Sequence, residues 1–165
     1  MPIPPFIADL RAQVGHAPLW LPGVSAVVTR DDGRLLLGRR ADNGRWAVVS
    51  GIPDPGEEPA AAAAREVAEE TGVVAEVLAL TSVATSEVVT YPNGDVAQFL
   101  DLCFWCRATG GEARVADDES TEVGWFAADA LPQPLLGSSV TRIARTLAYA
   151  DALAAGRSAG PWFAT

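Results

Sequence analysis

The sequence predicts an α/β fold in which helices cover a mixed β-sheet, and three features of the chain support this. Apolar runs typical of strands alternate with amphipathic segments typical of helices along the 165 residues. The dipeptide Asn93-Gly94, between two β-rich runs, is a strong signal for a β-hairpin. No internal repeat or long linker divides the chain, and its length suits one domain over residues 1–165.

The first third of the chain predicts a helix followed by short strands. Residues 4–15 form an amphipathic segment that begins at two prolines, which favour a first helical turn. The runs at 24–29 and 34–40, separated by the turn signal Asp31-Asp32-Gly33, predict a hairpin. Residues 46–49 predict another short strand, which leads into a loop rich in Gly and Pro.

The rest of the chain predicts a long helix, a hairpin and a C-terminal helix. Residues 59–71 predict a stable helix because a first-turn proline is followed by five alanines. The runs at 73–90 and 96–106 flank the Asn93-Gly94 turn. An acidic loop (115–121) and a strand (122–126) precede an amphipathic helix over 139–153. The apolar side chains expected on or near its buried face are Val140, Ile143, Leu147 and Leu153. We expect the tail from residue 156 to be mobile.

The composition excludes several classes of protein. Hydrophobic residues make up 49% and charged residues 20%, which excludes a globally disordered chain. With 21 acidic and 12 basic residues, the net charge of −9 argues against a protein that coats DNA or RNA. All 12 basic residues are Arg, whose planar guanidinium suits a local phosphate site.

The cysteines and the apolar segments indicate a cytoplasmic protein. Cys103 and Cys106 lie three apart in a strand-like run, so they should point to opposite faces and form neither a zinc clamp nor a redox pair. The N-terminus lacks the basic and apolar regions of a signal peptide. No segment approaches the roughly 20 apolar residues that a membrane helix requires. The N-terminal helix is expected either to cover the core or to form the contact of a homodimer.

Three glutamates stand on one face of the long predicted helix. Glu66, Glu69 and Glu70 have the spacing i, i+3 and i+4, at which like charges destabilise a helix by a few tenths of a kcal/mol per pair. Arg65 can pair with part of this cluster, and a divalent cation such as Mg²⁺ would compensate it better. The alternative is an acidic helix end that simply faces water.

The loop before this helix favours the metal site. Ser50-Gly51 and Gly56 allow tight backbone turns, and Glu57 lies just before the helix. Such a loop can direct a backbone carbonyl and another carboxylate towards the same cluster.

Together these residues resemble the Nudix box over residues 51–73. Gly51, Glu57 and the run Arg65-Glu66-Val67-Ala68-Glu69-Glu70-Thr71-Gly72-Val73 match its defining positions. One departure is Val49-Ser50-Gly51, where many members have Pro followed by Gly-Gly. The resemblance implies the Nudix fold, an α/β/α sandwich with a mixed β-sheet.

The resemblance also implies an activity and roles for the residues of the box. The family hydrolyses nucleoside diphosphates linked to another moiety, using Mg²⁺ or Mn²⁺. Glu66, Glu69 and Glu70 would bind the metal, joined by the backbone carbonyl of Ser50 or Gly51. Glu69 or Glu66 would orient or deprotonate the attacking water. Glu57 and Arg65 would hold the loop against the helix.

Candidates for substrate binding lie outside the box. Arg39, Arg40 and Arg45 are considered for phosphate binding, with ordinary surface arginines as the alternative. Tyr91 lies close to where dinucleoside-polyphosphate hydrolases of the family often carry a tyrosine, and it also suits a plain hairpin turn. Glu119 and Glu122 are candidates for an additional carboxylate, with a solvated loop as the alternative.

The expected function is therefore metal-dependent hydrolysis of a pyrophosphate bond in a small-molecule nucleotide. A narrower alternative is a hydrolase that removes oxidised nucleoside triphosphates. A third alternative is a Nudix-like module that binds a ligand without turnover, although such modules usually lack one or more box glutamates. The net charge of −9 disfavours long RNA as a substrate.

Overall fold

The computed structural model describes residues 4–165, in which three helices and nine strands are formed. The helices are α1 (Pro5–Val14), α2 (Pro59–Thr71) and α3 (Gly137–Ala154). The strands are β1 (Leu19–Thr29), β2 (Leu35–Arg40), β3 (Trp46–Ala47), β4 (Val49–Gly51), β5 (Val73–Thr85), β6 (Val89–Thr90), β7 (Val96–Gly111), β8 (Ser120–Phe126) and β9 (Trp162–Phe163). None of the helices within 4–165 is long and apolar enough to cross a membrane.

The strands form one mixed sheet, as the sequence predicts. Its main order is β3-β2-β1-β7-β5-β9, with β1 parallel to β7 and β5 antiparallel to β7. The Asn93-Gly94 hairpin is confirmed, because β6 pairs antiparallel with β7 on either side of that turn. Strand β7 continues to Gly111, beyond the predicted run at 96–106.

The predicted hairpin between β1 and β2 is reduced to a single register pair, Thr29 with Leu35. Beyond that pair β2 leaves β1 and runs antiparallel to β8 instead. Strand β4 pairs antiparallel with the part of β1 that β2 leaves free, with Val24 opposite Gly51. The sheet therefore splits between β2 and β4, and this split opens a crevice at the end of both strands.

Helices pack on both faces of the sheet because alternate side chains of β1 point to opposite sides. Val24, Ala26 and Val28 lie in the core beneath α2. Val27 lies in the other core, which also contains Ile143 of α3. This arrangement confirms the α/β/α sandwich.

The cysteines are placed as their spacing predicts. Cys103 packs in the core on the α3 side and Cys106 in the core on the α2 side. Both are free, fully buried thiols. Burial raises the pKa of the Cys106 thiol to about 12, so it stays protonated and chemically inert.

Helix α3 buries a different face from the one that its apolar residues predict. Ile143 is buried and Leu147 partly buried, but Val140 and Leu153 are exposed, so their prediction was wrong. The buried face contains Ser139 and Thr146 instead. The Ser139 hydroxyl accepts a hydrogen bond from the Val48 amide, and the hydroxyls of Thr146 and Thr81 are hydrogen-bonded at 2.8 Å. Hydrogen bonding therefore offsets the cost of burying these polar groups.

The C-terminal tail lies along the edge of the sheet, where β9 pairs parallel with β5 through Ser82–Trp162 and Val83–Phe163. The expected mobility of the segment from residue 156 stays a prediction. The Arg145 guanidinium of α3 stacks on the Trp162 ring, 3.2 Å from its centroid. These contacts hold the tail against α3 and the sheet edge.

Candidate active site

Arg65 connects the loop before α2 to the helix itself. Its Nε and one terminal nitrogen donate to the two carboxylate oxygens of Glu57, both at 2.9 Å. The Glu57 carboxylate also accepts the Asp54 amide at 3.0 Å. The other terminal nitrogen of Arg65 donates to Glu66 at 3.1 Å and to Glu69 at 2.9 Å. A bidentate pair of this kind defines the orientation of both groups, so the loop geometry depends on Arg65.

The carboxylate of Glu66 lies directly against the backbone of Gly51. A Cβ atom at position 51 would overlap the carboxyl group of Glu66. The backbone of Gly51 does not have a positive φ, so the requirement for glycine here is one of space rather than of conformation. Glycine at the end of β4 therefore lets the helix place Glu66 beside the strand backbone.

Glu70 is a buried carboxylate among other carboxylates. It is 9% exposed, and its side chain has no hydrogen-bond partner among the described residues. Burial, followed by the neighbouring charges of Glu119, Glu66 and Asp117, raises the pKa of Glu70 to about 9. Among the leading causes of this pKa shift, Arg40 is the only cation, and its charge lowers the pKa. The charge of Glu70 is therefore poorly compensated by the protein alone.

A small cavity adjoins Glu70 in the crevice of the split sheet. Its volume is about 20 Å³, which is room for one water or one ion. The residues that line it are Gly38, Arg40, Ala47, Val48, Ser50, Glu70 and Glu119. The Glu119 carbonyl accepts the Ala41 amide at 2.8 Å, which ties the acidic loop to the end of β2.

The donor set fits a hard divalent cation. Burial and neighbouring carboxylates raise the pKa of Glu66 and of Glu119 as well as that of Glu70. Mg²⁺ takes oxygen ligands and usually binds through a few carboxylates, substrate phosphates and water. Among residues 4–165, no three acidic, His or Cys side chains already converge on one point. Side chains that now contact Arg65 would have to turn towards the ion.

The structure places the other candidate residues in different surroundings. Arg39 forms an ion pair with Glu122 at 2.6 Å across β2 and β8, and both side chains are exposed. Glu69 is 57% exposed and contacts Arg65. Arg45 is exposed at the turn before β3. These placements leave their proposed roles as predictions.

Arg40, rather than Arg39 or Arg45, lines the cavity beside Glu70. Consecutive side chains of a strand point to opposite faces of the sheet, so Arg39 and Arg40 of β2 have different surroundings. Asp42 holds Arg40 through two hydrogen bonds of 2.9 and 2.7 Å. Burial raises the pKa of the Tyr91 hydroxyl. The charges of Arg40 and Asp42 also affect this pKa, so Tyr91 lies near both residues. No feature of the sequence would have selected Arg40 over its neighbours.

Comparison with known proteins decides the family. The NUDIX domain model matches residues 19–147. This chain belongs to the Nudix family. A MutT-like protein from Streptomyces ambofaciens is 44% identical over 112 residues, which is 68% of this Nudix chain and 67% of the relative. The 8-oxo-dGDP phosphatase NUDT18 of Mus musculus is 32% identical over 64% of this chain, but the match covers only 31% of the mouse protein.

A solved structure agrees with this assignment. The crystal structure of a MutT NUDIX hydrolase from Burkholderia pseudomallei matches with a TM-score of 0.58 and 30% sequence identity. The match covers 77% of this Nudix chain and 98% of that protein. The likeness thus extends well beyond the box residues to the sheet and its covering helices.

Replacing Glu70 with Gln should have different effects on the stability of the metal-free protein and on its stabilisation by metal. In metal-free protein at pH 7, a Glu70 carboxyl with a pKa of about 9 is mainly protonated and neutral, so we expect the neutral amide to leave the stability nearly unchanged. Millimolar Mg²⁺ should raise the melting temperature of the wild type and have little effect on the variant, because ligand binding stabilises the folded state. Thermal unfolding followed by circular dichroism measures both effects.

The exposed Glu58 provides the matched control, because its side chain forms no hydrogen bond or ion pair with the described residues. Glu58→Gln should keep the Mg²⁺-dependent rise in melting temperature. An equal rise in Glu70→Gln would contradict the assignment of Glu70 to the metal site.

Proposed function

We propose that this chain hydrolyses a pyrophosphate bond in a nucleoside diphosphate linked to another moiety, with Mg²⁺ as its ion and Mn²⁺ as a substitute. The observation that carries the proposal is the buried Glu70, which lies among the negative charges of Glu66, Glu119 and Asp117, with Arg40 as the one cation among the leading influences on its pKa. A cluster of this kind costs stability unless a cation joins it, and clusters with perturbed pKa values mark functional sites.

Some residues of the site would bind the ion, and another would accept the proton of the attacking water. Glu66, Glu70 and Glu119 would hold the ion, together with Glu69 or the backbone carbonyl of Ser50 or Gly51. When bound, the ion supplies neutralisation of phosphate charge and a lowered pKa for the attacking water. Glu69 is exposed to solvent and would accept the proton of that water. Arg65 orients the Glu69 carboxylate through its 2.9 Å hydrogen bond.

Arg40 suits the role of a phosphate ligand better than Arg39. Arg40 lines the same cavity as Glu70 and is held in place by Asp42. Arg39 is paired with Glu122 at the surface and does not line that cavity. The bridging P–O bond would break as water adds to phosphorus, and the leaving phosphate would carry the released negative charge.

A second candidate function is the removal of oxidised nucleotides. The similarity to a mouse protein named as an 8-oxo-dGDP phosphatase favours it. A ligand-binding module without turnover is less favoured, because all the box glutamates are present. The cytoplasmic location expected from the sequence remains a proposal, as does a homodimer, one of the two roles considered for the N-terminal helix.

A substrate panel tests the proposed activity. The purified chain is incubated with ADP-ribose, dinucleoside polyphosphates, nucleotide sugars, nucleoside triphosphates, 8-oxo-dGTP or 8-oxo-dGDP, each with Mg²⁺, Mn²⁺ or EDTA. We expect nucleotide or phosphate release from at least one class, with EDTA abolishing it. A folded protein that binds Mg²⁺ and cleaves no member of the panel would favour the binding module.

A further inference from the structure

A second cavity lies between α3 and the C-terminal tail. Its volume is about 450 Å³, within the range of small-molecule sites. Its walls are small side chains of the helix and the tail, mainly Ala144, Ala148, Ala152, Ala159 and Gly160, with Trp162. It shares no lining residue with the cavity at Glu70, which is bordered by α2 rather than α3.

One cation faces this apolar space without a carboxylate partner. Arg145 lines the cavity, and it takes part in none of the ion pairs formed within residues 4–165. One turn earlier on α3, Arg142 is neutralised by Asp101 at 2.9 Å. Burial lowers the pKa of Arg145, in keeping with a charge that the protein does not compensate.

The tail gives the cavity a flat aromatic wall beside this cation. The guanidinium of Arg145 stacks on Trp162, and Tyr149 of the next helical turn also lines the space. Stacking on an aromatic face leaves the edge N–H groups of a guanidinium directed outwards, where they can receive a carboxylate in two places. Trp162 is 41% exposed, so part of its surface beside Arg145 is available to a second flat group.

We propose that the cavity between α3 and the tail binds a small organic anion with a flat apolar body, such as an aromatic carboxylate. The apolar body would lie against the alanine-rich wall and Trp162, and its carboxylate would pair with Arg145. General attraction does not account for such binding, because a chain with a net charge of −9 repels anions overall. The inference is independent of the proposed hydrolysis, since no residue of the box takes part.

The probe is naphthoate, compared with the uncharged naphthamide of nearly the same shape. Binding to the full chain is measured by calorimetry and by proton–nitrogen NMR of the tryptophan indole groups. We expect naphthoate to bind at least tenfold more tightly than naphthamide and to shift the Trp162 indole resonance. That resonance is identified by its absence in Trp162→Phe.

Two variants test the roles of the charge and of the space. Arg145→Gln should weaken naphthoate binding at least tenfold, whereas Arg157→Gln, the same change at an exposed tail position, should not alter it. Ala148→Leu adds bulk at an exposed helical position and should also weaken binding by filling the cavity. Circular dichroism verifies that each variant is folded.

Three results would overturn the proposal: no shift of the Trp162 indole, equal affinity for the acid and the amide, or undiminished binding by a folded Arg145→Gln variant.

Discussion

Replacing Glu69 with Gln is expected to abolish measurable turnover, a loss of about 10³- to 10⁴-fold in kcat, while the fold stays intact. An amide cannot accept the proton of the attacking water, and general bases contribute about 10²- to 10⁴-fold. The Glu69 side chain is 57% exposed, and Arg65 is its one side-chain partner within residues 4–165. The change to Gln therefore leaves no cavity. The expected change in the free energy of unfolding is therefore small.

Steady-state kinetics on whichever substrate the panel identifies, with unfolding followed by circular dichroism, measures this result. Glu58→Gln is the control, because it also removes one negative charge from an exposed side chain. Glu58 lies at the start of the same helix. The proposed base would be refuted by a Glu69→Gln enzyme that turns over as fast as the control.

Replacing Gly51 with Ala is expected to lower kcat/KM at least a hundredfold. The added Cβ would overlap the carboxyl group of Glu66, and either the helix or that side chain must move away. A shift of about 1 Å in a catalytic group can cost on the order of a hundredfold in rate. Overpacking should also destabilise the fold by about 1–3 kcal/mol.

Gly137 provides the matched control, because a Cβ there meets open space. Gly137→Ala should keep both the activity and the metal affinity of the wild type. If Gly51→Ala also keeps them, then Glu66 does not need its position against the strand backbone.

The part of the site that the sequence predicted is encoded locally. Helix α2 has the predicted bounds, Pro59–Thr71, since a first-turn proline and a left-handed Gly72 define its two ends. Glu57, Arg65 and Glu66 meet because they lie within one loop and one helix. Short-range signals of this kind depend little on the rest of the fold.

The remainder depends on long-range pairing that a single sequence does not reveal. Arg40 and Glu119 line the same cavity because β2 pairs with β8, a strand far from it in the chain. The buried face of α3 includes the polar side chains of Ser139 and Thr146, which hydrogen-bond to the Val48 amide and to the Thr81 hydroxyl. Apolar periodicity alone therefore misassigned Val140 and Leu153 to that face.

Binding of Mn²⁺ followed by electron paramagnetic resonance tests the central claim most directly, because free and bound Mn²⁺ give different signals. The wild-type chain and Glu66→Gln are titrated beside Glu87→Gln, a change at an exposed residue away from the box. We expect the wild type and the Glu87 variant to bind Mn²⁺ alike, and the Glu66 variant to bind at least tenfold more weakly. Equal affinity in all three proteins, or no binding by the wild type, would contradict a metal site built on these glutamates.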